Sequence, residues 1–441
     1  MEEFAIFRRL RDLHVPRWAI PFTYAVAAVS LGLTLPRIEA RFLPPWNSGM
    51  SAAAAMAIYS SVAAGMITLT GIVFSLVFVM VQFSATAYSP RLSLWMARDP
   101  LVSHAIGVFT ATFLYAIAAL AWVDRDQSGR VPFFSGWLVF GFLLASVGLF
   151  VGLVQSLSKL QIHNVLGFTG DFARRLIDLM YPPFSNPGAV ADGGEFRNQP
   201  VTQSLVYHGP PHAFQSINVA KLLAIAQRAD AVIEMVSAVG DTLVESTPLL
   251  TVYGARKAIR VRKLRKTIHT GAERTFEQDP KYSIQLLRDI AIRALSPAVN
   301  DPTTAVQALD QIEDLLLRLG RRRLEIGEVR DRAGYLRLII PVPTWDDFID
   351  LALSEIRSYG ATSTQVMRRM KALLSDLING LPEERRPALR HQQKRLDATI
   401  ARSFPDLDDQ LEASAEDREG LGSTRRHSGE SPSEVQAGYM I

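Results

Sequence analysis

Two sets of residues in this chain have types and spacings that suit chemistry. The first is Arg274, Asp279, Asp289, Arg293, Asn300 and Asp301, all within one polar stretch of the C-terminal half. Brought together, such carboxylates, guanidiniums and an amide would bind a polar ligand or exchange protons. Helix capping and ion pairing account for several of the same residues. Asp301-Pro302 is a helix start, with Asp at the N-cap and Pro in the first turn. Asp289 and Arg293 stand four apart and can pair on one helix face. Asn300 suits a left-handed turn. The second set is Ser61, Thr68, Ser75, Gln82 and Ser89, which recur every seven residues. On a helix they form one slowly drifting polar line. A water-filled conduit would use such a line, and so would close packing between membrane helices.

Other chemistry is missing. The chain has no cysteine, so neither a disulfide framework nor thiolate catalysis applies. HExxH, Walker, GxGxxG and GxSxG motifs are absent, and His208 and His212 flank prolines that forbid helical metal-ligand spacing. No catalytic residue, metal or cofactor is expected. The net charge of +4 over 441 residues and the lack of any recognition motif argue against nucleic acid.

The elements that position these residues are set by charge. Long stretches free of Asp, Glu, Lys and Arg fill the first 158 residues, and each is long enough for a helix of about 20 residues to cross the bilayer. The expected spans are 18-36, 52-83, 102-123 and 133-157, after an N-terminal arm, 1-17. The run from Ser51 to Ser89 has no internal breaker and reads as one helix of about 60 Å at ~1.5 Å per residue. Basic residues favour one side: Arg8, Arg9, Arg11 and Arg17, then Arg91 and Arg98, then Lys159, Arg174 and Arg175. By the positive-inside rule, both termini face the cytoplasm of a multi-pass inner-membrane protein.

Beyond Lys159 the chain is expected to hold a connecting helix (159-183), a small β region (184-254), a mainly helical domain (255-409) and a disordered tail (410-441). The fold class is an α-helical polytopic membrane domain of four transmembrane helices followed by a cytoplasmic α+β domain. Strands are expected at Val201–Tyr207, Ala213–Ile217, Ala231–Val239 and Tyr335–Val342, and a short helix at Val219–Ala229. Ser283 is expected to cap a helix over Ile284–Leu295. The stretch Gly240-Asp241 to Pro248-Leu249 resembles the hammerhead turn of lipoyl- and biotinyl-type barrels, with Ser246 where that pattern has glycine and no carrier lysine. It reads as scaffold. Seven basic residues crowd between Arg256 and Lys266. They suit contact with anionic lipid headgroups, or a solvated helix face.

Two strings resemble signatures of the DUF2254 family of predicted bacterial membrane proteins. One is Gln82-Phe83-Ser84-Ala85-Thr86-Ala87-Tyr88-Ser89-Pro90-Arg91, at the exit from the second span. The other is Asp289-Ile290-Ala291-Ile292-Arg293-Ala294-Leu295-Ser296-Pro297, continuing through Asn300-Asp301-Pro302 to Ala305. Gly271–Thr275 with Gln278-Asp279 resembles a third element. The resemblance covers about Val15 to Leu407 and implies four spans with a cytoplasmic domain, but no reaction. The expectation for function is a homo-oligomeric, channel-like or transport-related protein whose second span lines the path. The alternative is a membrane-anchored sensor or scaffold that binds a ligand around Arg293 and Asn300.

Overall fold

The computed structural model describes residues 19–42, 51–87, 100–123, 131, 133–158, 162–184 and 193–420. They divide into two compact units, one ending at Gln161 and one beginning at Ile162.

The first unit is built from α1 (Ala19–Phe42), α2 (Ala52–Ala87), α3 (Pro100–Leu120) and α4 (Phe133–Ser158). All four are long and apolar enough to cross a membrane. Helix α3 is the centre, with α1, α2 and α4 each packed against it. Close approach depends on small residues. A Cβ on Gly32 would lie 2.6 Å from the Cβ of Ala118, and one on Gly107 would lie 2.6 Å from the Tyr24 ring. Helices without a water-driven reason to associate rely on such packing. Phe74, Phe78, Trp137 and Leu144 are exposed, as apolar side chains facing lipid should be. Inside the unit, the buried hydroxyls of Thr112 and Ser146 bond each other at 2.9 Å across α3 and α4.

The first span is expected to stop at Pro36. The helix instead runs through Pro36 to Phe42, so Arg37, Glu39 and Arg41 belong to α1. The extension has a use. The Glu39 carboxylate accepts from the backbone N–H groups of Phe133, Phe134 and Ser135, and so caps α4 from another helix. The guanidinium of Arg37 stacks on Trp122 at 4.9 Å. Helix α2 is unbroken over 36 residues, as its lack of turn signals predicts.

The second unit opens with α5 (Ile162–Met180) and contains two sheets. The strands are β1 (Val201–Val206), β2 (His212–Ile217), β3 (Val232–Met235), β4 (Thr242–Leu243), β5 (Pro248–Tyr253), β6 (Ile268–Gly271), β7 (Glu328–Arg330) and β8 (Leu336–Ile339). One sheet has the order β1-β5-β3-β8-β7 and the other β4-β2-β6. The expected β region of 184-254 therefore does not close on itself. Strand β6 completes the small sheet, and β8 adds to β3 in parallel, Ile233 opposite Leu338. Strands of three or four residues carry too little alternation to stand out in a sequence. Helices α6 (Val219–Ala229) and α7 (Val261–Arg265) belong to the same layer, and Phe214, Leu222, Ile233, Val252, Leu264 and Leu338 fill its core.

A helical layer follows: α8 (Pro280–Ala294), α9 (Pro302–Gly320), α10 (Trp345–Tyr359), α11 (Thr364–Gly380), α12 (Arg386–Ser403) and α13 (Leu407–Ser414). Leu287, Leu309, Ile312, Phe348, Leu353 and Leu373 are completely buried in it. The disordered tail is expected from 410, but α13 crosses that point. Ala413 and Asp417 are buried, and Arg418 pairs with Asp376 on α11 at 2.6 Å. An N-cap at Asp406, bonding the N–H of Asp408, starts this last helix. Residues 421–441 lie outside the described residues.

Replacing Glu39 with Ala removes the acceptor for three N–H groups at the start of α4. The expected loss is about 1–3 kcal/mol, read as a lower melting temperature of the purified protein. Glu39→Gln, which keeps one acceptor oxygen, should lose less.

Candidate functional site

The seven-residue polar line on α2 has a definite direction. Ser61, Thr68, Ser75 and Gln82 are all exposed. The buried face of the same helix is Ala55, Tyr59, Val62, Ala63, Met66 and Val73. At ~100° per residue, the line lies about 170° around the helix from that face. It therefore points away from the chain's own bundle. Gly65 and Gly71 lie on the same outward half, and a Cβ on either would meet nothing within 4 Å. Ile72 and Val79 interleave the line toward its far end. Thr68 donates its hydroxyl proton to the Ala64 carbonyl at 3.1 Å. Ser89 and the exit motif Tyr88, Ser89, Pro90 and Arg91 lie outside the described residues.

The second set of residues divides along α8. At its start, Asp279 is the N-cap and accepts from the N–H of Tyr282. The Arg274 guanidinium donates to Asp279 through Nε at 2.8 Å, and through Nη1 to Gln285 at 2.8 Å. The same guanidinium lies over the Tyr282 ring. Gly240, at φ +97°, closes the arrangement, since a Cβ there would sit 2.5 Å from Arg274 Nη2. Burial raises the Asp279 carboxyl above its ordinary value, and the neighbouring Arg274 charge opposes that without cancelling it. Ser283, the expected N-cap, instead lies one turn inside the helix and is fully buried. Asp279-Pro280 takes its place, by the same Asp-Pro device that starts α9.

At the other end, Asp301 caps α9, accepting from the Thr304 N–H at 3.1 Å. Asn300 is exposed, with φ +49°, in the left-handed turn expected of it. Asp289 accepts from Arg288 at 2.7 Å, and Arg288 also reaches Glu355 at 3.3 Å. The caps of α8 and α9 are separated by the 15 residues of α8, or about 22 Å at ~1.5 Å per residue. The helix thus holds Arg274 and Asp279 together and keeps them apart from Asn300 and Asp301.

The basic run forms α7 and its flanks. Leu264 is buried in the sheet core, while Arg256, Lys257, Arg260, Arg262, Lys263, Arg265 and Lys266 are exposed. Arg256 approaches Asp230 at 3.7 Å. Among the described residues, the other six make no ion pair.

A feature without a counterpart in the sequence pattern is a group of buried arginines in the helical layer. Arg369 pairs with Asp310 at 2.8 Å and with Glu313. Arg368 has Glu412 at 3.7 Å, and Arg385 has Glu325 at 3.8 Å and the rings of Phe184 and Trp345. Arg357 differs. Its Nη1 donates to the Thr399 hydroxyl at 2.6 Å, and no carboxylate among the described residues lies within ion-pair distance. No sequence signal marks it, because an exposed arginine on an amphipathic helix looks the same.

The family model for DUF2254, described as "Predicted membrane protein", matches residues 16–376. The chain belongs to this family. It is also similar to an uncharacterized protein of Mycobacterium tuberculosis and one of Mycobacterium bovis. Each is 28% identical over 361 residues, covering 79% of this chain and 68% of the relative. No solved structure matches it.

Breaking the Arg274–Asp279 pair from one side should cost more than removing it. Arg274→Met leaves a buried carboxylate and is expected to cost about 3 kcal/mol, whereas Arg274→Met with Asp279→Asn should recover a large part of that. Chemical denaturation of the single and double variants measures the difference.

Proposed function

We propose that this member of the DUF2254 family is a homo-oligomeric protein of the bacterial inner membrane, with α2 lining a passive path between subunits. In this reading both termini and the C-terminal unit are cytoplasmic, and that unit assembles or gates the path. The observation that carries it is the direction of the Ser61/Thr68/Ser75/Gln82 line, turned away from the chain's own bundle. Polar groups are poorly served by hydrocarbon. A second copy of α2, or water between copies, solvates them better. The small residues beside the line, Gly65 and Gly71, would let neighbouring helices approach.

The absence of any acidic or basic residue along this line fits a conduit that neither relays protons nor senses voltage. The excess of Arg and Lys in the 1-17 arm and in the segments after the second and fourth spans supports the cytoplasmic side. The exposed Arg256–Lys266 run supports it further, since anionic lipids of that leaflet attract basic residues at about 1 kcal/mol each.

Ion flux into liposomes holding the purified protein tests this. Ser75→Leu and Gln82→Leu should each reduce flux at least tenfold while the oligomer mass by light scattering stays unchanged. Wild-type protein that passes no ions, together with variants that fall apart into monomers, would assign the line to helix packing.

A further inference from the structure

We propose that Arg357, Arg395 and Arg402, with the Thr399 hydroxyl, form a binding site for a phosphate-type oxyanion between α10 and α12. Ser354 and Arg357 are three apart on α10, and Arg395, Thr399 and Arg402 are four and three apart on α12. Each set therefore shares one helix face. The two faces meet: Arg357 Nη1 bonds Thr399 Oγ1 at 2.6 Å, and Arg395 Nη1 lies 3.5 Å from Ser354 Oγ.

Charge is what requires a ligand here. Arg357 is only 8% exposed, and its Nε is buried with no hydrogen-bond partner. Burial pushes its pKa down, and Arg395 and Arg402, near enough to repel it, push in the same direction. Among the described residues, the only carboxylate within 4 Å of any of the three guanidiniums is Asp350, 3.9 Å from Arg395, and it already accepts from the Gln392 amide at 2.6 Å. That acid reaches one of the three guanidiniums; Arg402, at the exposed rim, donates through Nε to the Ala398 carbonyl at 3.1 Å, and Arg357 has no acid within 4 Å among the described residues. A buried charge without a counterion is strongly unfavourable, and Arg368, Arg369 and Arg385, buried in the same layer, each have an acid within 4 Å. Guanidiniums beside a hydroxyl match the oxygens of a phosphoryl group, which accept several N–H and O–H donors together. Thr399 now donates to the Arg395 carbonyl at 2.8 Å. It can turn its proton to an incoming oxygen.

The test is thermal unfolding of the full-length purified protein in phosphate-free detergent buffer, at constant ionic strength. One arm adds inorganic phosphate and the other adds phosphatidylglycerol micelles, which separates a free anion from a lipid headgroup. A saturable rise in melting temperature with either ligand is expected. Arg357→Met should abolish that rise, and should melt no lower than wild type when ligand is absent, because it removes an unpaired charge. Arg395→Gln, at a half-exposed position that does not threaten folding, should raise the half-saturating concentration at least tenfold. A melting temperature that neither ligand moves, or a rise that survives both substitutions, overturns the site. None of these readings involves flux, so they stand or fall separately from a path along α2.

Discussion

The structure depends on one constraint: removing a charged group or a helix end from water is costly unless it meets a partner inside the protein. In the membrane unit this decides where α4 begins. Its first N–H groups would face a low-dielectric interface, and Glu39 supplies the acceptor from α1. The same rule applies to Thr112 and Ser146 between α3 and α4, which meet each other at 2.9 Å and also reach the Val108 and Phe142 carbonyls of their own helices. In the C-terminal unit it places Asp310 and Glu313 around Arg369 and joins α9 to α11. Apolar burial supplies the bulk of the driving force in both units, but it is not directional. The paired groups fix which helix meets which.

The helices are legible in the sequence in proportion to how far charge and capping dominate. Four spans can be read because a stretch of 20 residues without Asp, Glu, Lys or Arg is rare outside a membrane. Asp301-Pro302 marks the start of α9, since Asp at the N-cap and Pro in the first turn leave little freedom. The same dipeptide at Asp279-Pro280 carries the same message, and Ser283 is a weaker competitor. Asn300 can be assigned its left-handed turn because few residue types accept one. Strands β6 and β7 are not legible. Each is held by its neighbour's register and not by its own pattern, and β3 finds its partner β8 about a hundred residues away.

The polar contacts are harder to read than the elements. Glu39 has the look of a loop charge when Pro36 is taken as the end of the first span, yet proline is tolerated in membrane helices whose neighbours satisfy the freed groups. Arg274 and Asp279 group naturally with Asn300 and Asp301, because all lie close in sequence. Helix α8 converts that closeness into separation: a rigid rod of 15 residues carries one pair to each end. Proximity in sequence implies proximity in space only where the chain turns back between the residues. The Arg357 group shows the converse, since Arg357 and Thr399 are 42 positions apart and share a hydrogen bond.

Two places pose the question of what lies outside the chain's own packing, and their surroundings separate them. The line on α2 is at the outside of its bundle, on a surface that meets lipid or another molecule. Whatever covers that surface has to extend along the helix within the membrane. Arg357 is under the surface, between two helices of one chain, with two further guanidiniums at the rim. The acids nearest in sequence are engaged elsewhere: Asp350 accepts from Gln392, Glu355 pairs with Arg288 and Asp397 with Lys371. What fits there is small, anionic and rich in acceptor oxygens. The same physical rule thus asks a different question of each unit: what covers an exposed polar line in one, and what neutralises a buried guanidinium in the other.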